Sequence, residues 1–331
     1  MDPITQGALG SAFAQAGNGR RWQRVRDASV IGALSGMAAD LDVLIQSSTD
    51  PLLFLEYHRH FTHALAFIPF GALICAGAFY FFVRRRMRFR EVYLFCVLGY
   101  ASHGLLDACT TYGTLLFWPF SDMRIAWNVV SVIDPLFSVP LVLCVLLAFV
   151  RRSARWTGVG LIWGVCYLLL GVLQNQRAET AGWELAQSRG HTPVRLEAKP
   201  GFANLLVWKV VYEHQGVFHV DAIRTGLKVS VYPGASAEKL DISRHLPWLQ
   251  ASSTQARDVE RFRWFSNDYL AVQSANEVVD VRYSALPNEI RPLWGIRLHP
   301  EGNDDTHVEY FTERRVDSDQ GQRLLGMLLG R

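Results

Sequence analysis

Charge is what this sequence has least of. Asp, Glu, Lys and Arg make up 19% of its 331 residues, where about 25% is usual for soluble domains. The formal net charge is only +3, and no basic stripe follows an RNA- or DNA-binding motif, which excludes a nucleic-acid footprint. The scarcity is uneven: no lysine precedes Lys199 and no cysteine follows Cys166. No cysteine pair has the spacing of a structural thiolate zinc site. The start of the chain also lacks the order of a cleavable secretion signal, because Asp2 comes first and the arginines follow the apolar stretch. What is abundant is apolar: half of the residues are of that class, which excludes disorder, collagen-like repeats and coiled coil. The length suits about two domains, and the two scarcities divide them.

A membrane-spanning helix needs about 20 mostly apolar residues. Residues 64–83 carry no charge at all, residues 129–150 carry only Asp134 before the terminal arginines, and 157–173 are uncharged. Segments 28–46 and 92–110 are apolar but interrupted by Asp40 and Asp42, and by His103 and Asp107. Residues 3–17 add a shorter, milder run. The expectation is a multi-pass α-helical membrane bundle of five or six helices over residues 1–175. A β-rich extracytoplasmic domain over 176–331 follows, joined through the polar run 174–190.

Orientation follows from the arginines, since short cytoplasmic loops carry the excess of Lys and Arg. Arg20, Arg21, Arg24 and Arg26 form one cluster, Arg84, Arg85, Arg86, Arg88 and Arg90 a second, and Arg151, Arg152 and Arg155 a third. The intervening loops, 47–62 and 111–128, carry only Arg59 and Arg124. The clusters are therefore assigned to the cytoplasm, and the loops after Asp42 and Asp107 to the outer, periplasmic side of an inner membrane. Continuing the count puts the tail outside as well. In the tail, alternating β-branched and aromatic residues predict two strands around Gln215-Gly216, and further strands in 261–272, 278–286, 293–300 and 307–315. A short helix is expected at 324–329.

Ionisable groups inside membrane segments are costly and mark function. Asp40 and Asp42, His58 and His63, and His103 and Asp107 all fall at the outer face, although the arginines alone set that orientation. His103 and Asp107 are four apart and share a helix face. Asp40 and Asp42 are two apart, so the helix should end or unwind there. Together they form a nitrogen/oxygen ligand set suited to Zn, Mn or Fe(II). Six ligands exceed the need of one tetrahedral zinc, which leaves one or two ions open. Asp134, before Pro135, reads as a cap or kink. His60 reads as a loop residue, and the histidines after residue 190 as ordinary surface or sheet residues.

At these residues the sequence resembles the YdjM-type family of bacterial membrane-bound, predicted metal-dependent hydrolases. The blocks that carry the resemblance are MDPITQGALG at the N-terminus, ADLDVL at 39–44, HRHFTHAL at 58–65, SHGLLDACTTYGT at 102–114 and WPFSD at 118–122. It implies a multi-pass inner-membrane protein with a His/Asp metal site, and as ligands Asp40, Asp42, His58, His63, His103 and Asp107. Many members have His after the N-terminal Thr, where this chain has Gln6, so no ligand is expected from that block.

The expected activity is hydrolysis of phosphate or carboxyl esters in lipid or lipid-linked substrates by metal-activated water at the outer interface. Arg59 is the candidate for holding a substrate phosphate, and Glu56 the candidate general base. The β-rich domain is expected to cover the site or select the substrate. Two alternatives differ in kind. An ion- or proton-coupled transporter predicts polar groups across the whole membrane depth, and a non-catalytic scaffold predicts a closed metal site.

Overall fold

The computed structural model describes residues 1–18, 24–313 and 318–331. Arg20 and Arg21 of the first basic cluster, and the last two residues of the run 307–315, lie outside the described residues. A helical N-terminal region is followed by a β-sheet region. The chain divides into two compact units: Met1–Ile45, Tyr57–Val172 and Phe202–Asn204 in the first, the remainder in the second.

The first unit is built from helices α1 (Pro3–Gly17), α2 (Val25–Met37), α4 (Ile68–Val83), α5 (Phe89–Ala108), α6 (Pro135–Arg151) and the start of α7 (Ala154–Ser188). The short helix α3 (Leu53–Tyr57) lies almost wholly in the second. α1, α2, α4 and α5 pack on one another around small side chains, with Ala14, Ala28, Ala72, Ala76 and Cys96 buried beside Phe95 and Tyr100. Small residues let helix backbones approach where lipid supplies no hydrophobic drive to associate. The outer surface is apolar: Phe70, Ile74, Phe81 and Phe82 of α4 are 63–79% exposed.

Among the described residues two helices are long and apolar enough to cross a membrane, Leu65–Val83 and Arg155–Ser188. The expected count of five or six is therefore not reached on that test. α1 and α2 have 15 and 13 residues, only about 23 and 20 Å of rise against roughly 30 Å of hydrocarbon. α5 has the length but carries Arg90, Glu91, His103 and Asp107. Other boundaries also move. The segment read as 28–46 is helical only to Met37, then continues as a 3-10 turn over Ala38–Leu44. The segment read as 129–150 starts at Pro135, because Asp134 caps it by accepting from Leu136 N and Phe137 N. The polar run 174–190 is helical as far as Ser188.

In the second unit two antiparallel four-stranded sheets follow in chain order. The first holds β1 (Arg195–Pro200), β2 (Val207–His214), β3 (Val217–Thr225) and β4 (Val229–Glu238). The second holds β5 (Leu270–Ser274), β6 (Glu277–Asp280), β7 (Trp294–Arg297) and β8 (Glu309–Thr312). The expected hairpin is present: His214 pairs with Val217, and Gln215 and Gly216 both take positive φ, at 49° and 73°, as the tight hairpin turn requires. Val211, Phe218 and Val220 share one core with Tyr269, Ala271, Val279 and Val281. Residues 261–265, expected as strand, instead end helix α9 (Thr254–Phe265), whose first turn is capped by Ser253. α8 (Ile242–His245) precedes it, and α10 (Ser318–Leu329) is longer than the expected 324–329.

Candidate metal centre

Three segments of the first unit supply the site. After Met37 the chain tightens into the 3-10 turn, which carries Asp40 at the edge and Asp42 inside, 3% exposed. The unwinding expected from the two-residue spacing is what the structure shows. Residues 58–63 follow an irregular path: Arg59 takes φ 64°, and a 3-10 turn over Phe61–His63 points His63 inward at 2% exposure. From α5, His103 and Asp107 face the same place, 0% and 1% exposed. Gly104 makes the approach possible, since a Cβ there would sit 2.2 Å from the His63 carbonyl oxygen.

Asp40, His63, His103 and Asp107 bring one ligand atom each to a common point. His63 Nε2 lies 3.0 Å from His103 Nε2, 3.5 Å from Asp40 Oδ1 and 3.3 Å from Asp107 Oδ2. His103 Nε2 lies 3.3 Å from Asp40 Oδ1 and 3.7 Å from Asp107 Oδ2. A tetrahedron with bonds of 2.0–2.1 Å to zinc has edges of about 3.3–3.4 Å. The five separations straddle that value, so the donor set fits a divalent ion.

The supporting contacts fix the chemistry of those atoms. His103 Nδ1 lies 2.5 Å from the Gly36 carbonyl, which can only accept, so the hydrogen sits on Nδ1 and Nε2 is bare. His63 Nδ1 is 3.0 Å from Thr62 Oγ1 and 3.2 Å from Asp42 Oδ2, which leaves its Nε2 for the centre. Burial alone would lower the His63 pKa. Hydrogen bonds to Asp107, Asp40 and Asp42 outweigh it and raise the pKa to about 10. Without a cation, a proton on His63 takes the place of one between the carboxylates.

Asp42 carries further contacts of its own. Its Oδ2 accepts from Arg59 N at 3.0 Å and Thr62 Oγ1 at 2.8 Å, and its Oδ1 faces His58 Nδ1 at 2.8 Å. A second grouping, Asp40, Asp42 and His58, shares Asp40 with the first. In that grouping Asp42 is already occupied by donors, and the His58 side chain is 38% exposed. The two catalytic candidates are also engaged. Arg59 Nε lies 3.1 Å from Asp107 Oδ2, its Nη1 donates to Thr110 Oγ1 at 2.9 Å, and its guanidinium lies over the Tyr112 ring. Glu56 belongs to the second unit, where its carboxylate accepts from Arg261.

One residue that the resemblance sets aside as a ligand reaches the site all the same. Gln6 of α1 donates from Nε2 to Asp107 Oδ1 at 2.8 Å, and the Met1 nitrogen donates to the same oxygen. A neutral amide in a short, mild apolar run carries no signal by itself.

Comparison with known proteins concerns the part of the chain that carries these residues. The model of the YdjM inner membrane protein family matches residues 1–178, more than half of the chain and the part that contains every one of these residues. The chain belongs to that family. It is similar to the inner membrane protein YbcI of Escherichia coli (strain K12), 35% identical over 109 residues, covering 30% of this chain and 60% of YbcI. It is also similar to the uncharacterized protein YfhP of Bacillus subtilis (strain 168), 28% identical over 109 residues, a third of each chain. The match thus spans less than two thirds of either relative. No solved structure matches.

Proposed function

We propose that this inner-membrane-family protein is a metal-dependent hydrolase of phosphate or carboxyl esters in lipid or lipid-linked substrates. The observation that carries the proposal is the convergence of His63 Nε2, His103 Nε2, Asp40 Oδ1 and Asp107 Oδ2. Those four residues would hold one divalent ion. A bound ion of this kind lowers the pKa of its water toward about 7 and polarises the scissile group.

The chain's own residues do the rest. Gly36 O and Asp42 orient the two imidazoles. Arg59 steadies Asp107 and, through its backbone nitrogen, Asp42. Asp40, with its side chain 21% exposed, is the least buried of the four and marks the side from which an ester can approach. We further read the protein as multi-pass, with this site and the β-sheet unit on the periplasmic side. The basis is that the arginines cluster in alternate segments, while the outer loops 47–62 and 111–128 carry only Arg59 and Arg124.

The near-complete burial of His63, His103 and Asp107 favours one rival, a metal that only pins the helices. Phosphate release from a panel of phospholipids in reconstituted vesicles, with and without added divalent ion, tests the reading. Metal-dependent release abolished by His103→Ala supports hydrolysis. Stoichiometric metal with no release from any ester supports the scaffold.

A further inference from the structure

Gln6 is wholly buried, yet half of its amide has no partner. Nε2 donates to Asp107 Oδ1 at 2.8 Å and reaches the His103 carbonyl at 3.4 Å. Those contacts fix which end of the amide is nitrogen, because the reversed amide would set its oxygen against a carboxylate and a carbonyl, acceptor against acceptor. Oε1 is left buried without a hydrogen bond. An orphaned buried oxygen is costly, and a leucine would fill similar space without that cost.

The placement is rigid. Asp2 caps α1 by accepting from Thr5 N at 3.0 Å, and its own nitrogen donates to Val132 O. A Cβ on Gly36 would come within 2.9 Å of the Gln6 carbonyl, so glycine there lets this turn of α1 reach α2. The amide is thereby held against Asp107 and His103, two of the four residues assigned to the metal.

We infer that Gln6 is a fifth ligand of this centre, binding the ion through its amide Oε1. The inference rests on the metal-site reading above and refines it. The donor set becomes two imidazole nitrogens and three oxygens, which favours Mn²⁺ or Fe²⁺ over a closed four-coordinate zinc. A bound ion would also give the orphaned Gln6 Oε1 its partner.

The test titrates metal-stripped full-length protein in detergent with Mn²⁺, comparing wild type, Gln6→Leu and Gln6→Glu. A ligand role predicts that Gln6→Leu binds Mn²⁺ at least about tenfold more weakly. Gln6→Glu, which keeps an oxygen but loses the donor to Asp107, binds as tightly as wild type or tighter. Visible bands of the Co²⁺-loaded protein strengthen in Gln6→Leu as five-coordination gives way to four. Equal loss in both variants would assign Gln6 only the hydrogen bond to Asp107 and overturn the inference, as would unchanged affinity in Gln6→Leu. If Gln6→Leu does not fold, Gln6→Glu alone decides. No metal uptake by wild type overturns the metal site itself, whereas the other outcomes leave that site standing.

Discussion

His63 and His103 meet through their Nε2 atoms at 3.0 Å, inside the protein, with a carboxylate on either side. Two bare imidazole nitrogens at that distance repel unless a proton or a cation lies between them. With the His63 pKa raised to about 10, the proton occupies that place at neutral pH in the metal-free state. Metal binding should therefore release close to one proton per ion near pH 7, and affinity should fall as pH drops. Calorimetry in buffers of different ionisation enthalpy measures the release. Proton-neutral binding would contradict the assignment of His63 as a ligand.

Asp42 should separate from the four centre residues in its effect. Asp42→Asn keeps one acceptor oxygen but loses the charge that orients His63 Nδ1 and holds Arg59 N and Thr62 Oγ1. We expect metal affinity to drop by about 10–100-fold, the usual cost of removing an orienting partner. Asp107→Asn and His103→Ala should lose the metal altogether. Equilibrium dialysis with metal analysis checks both.

The β-sheet unit carries a buried lysine whose titration is measurable. Lys209 Nζ donates to Ser284 Oγ at 2.6 Å and Glu289 O at 2.7 Å, and burial pushes its pKa down to about 7. The unfolded chain binds its proton up to about pH 10.4. Between those values the unfolded state holds more protons, so stability rises with pH from about 7 upward, by up to about 1.4 kcal/mol per unit from this group. Thermal unfolding followed from pH 6 to 10 should show that rise in wild type and a smaller one in Lys209→Met.

Arg261 gathers three acids of the second unit. It binds Asp50 through two nitrogens at 2.8 and 3.0 Å, Asp258 at 2.8 Å, and Glu56. Asp258 is 1% exposed and also accepts from His307 Nδ1. Arg261→Met should destabilise this unit by about 1–3 kcal/mol, mostly by stranding Asp258, since the partly exposed Asp50 and Glu56 contribute little. Denaturant unfolding reads it, and a loss below about 0.5 kcal/mol would show His307 suffices.

Much of the candidate site is legible in the amino-acid order itself, because ionisable side chains in apolar segments have few reasons to be there. Asp40, His63, His103 and Asp107 stand out for that reason and converge in the fold. What is not legible is the division of labour. Asp42 and His58 match the ligand types as well, and only the structure shows Asp42 accepting from Arg59 N and Thr62 Oγ1 beside His58. Gln6 is neutral and stands where the resembling family often has His, which in the sequence argues against a ligand there, and only the structure shows its contact with Asp107. In the β-sheet unit, β2 and β3 announce themselves by alternation around Gln215-Gly216. β1 carries Glu197 and Lys199, paired at 2.7 Å, and β4 contains Pro233 and Gly234, so neither shows an apolar face. The run 261–265 alternates Phe262 with Trp264, which hides the helical spacing of the buried Val259, Phe262 and Phe265.

The central claim is that this chain holds a metal ion between two histidines and two aspartates. Its most direct test is elemental analysis of the full-length protein purified in detergent, wild type beside His103→Ala and Asp107→Ala. The account predicts about one divalent ion per wild-type chain and none above background in either variant. Wild type without stoichiometric metal after equilibration with Mn²⁺, Fe²⁺ or Zn²⁺, or variants that retain it, would contradict it.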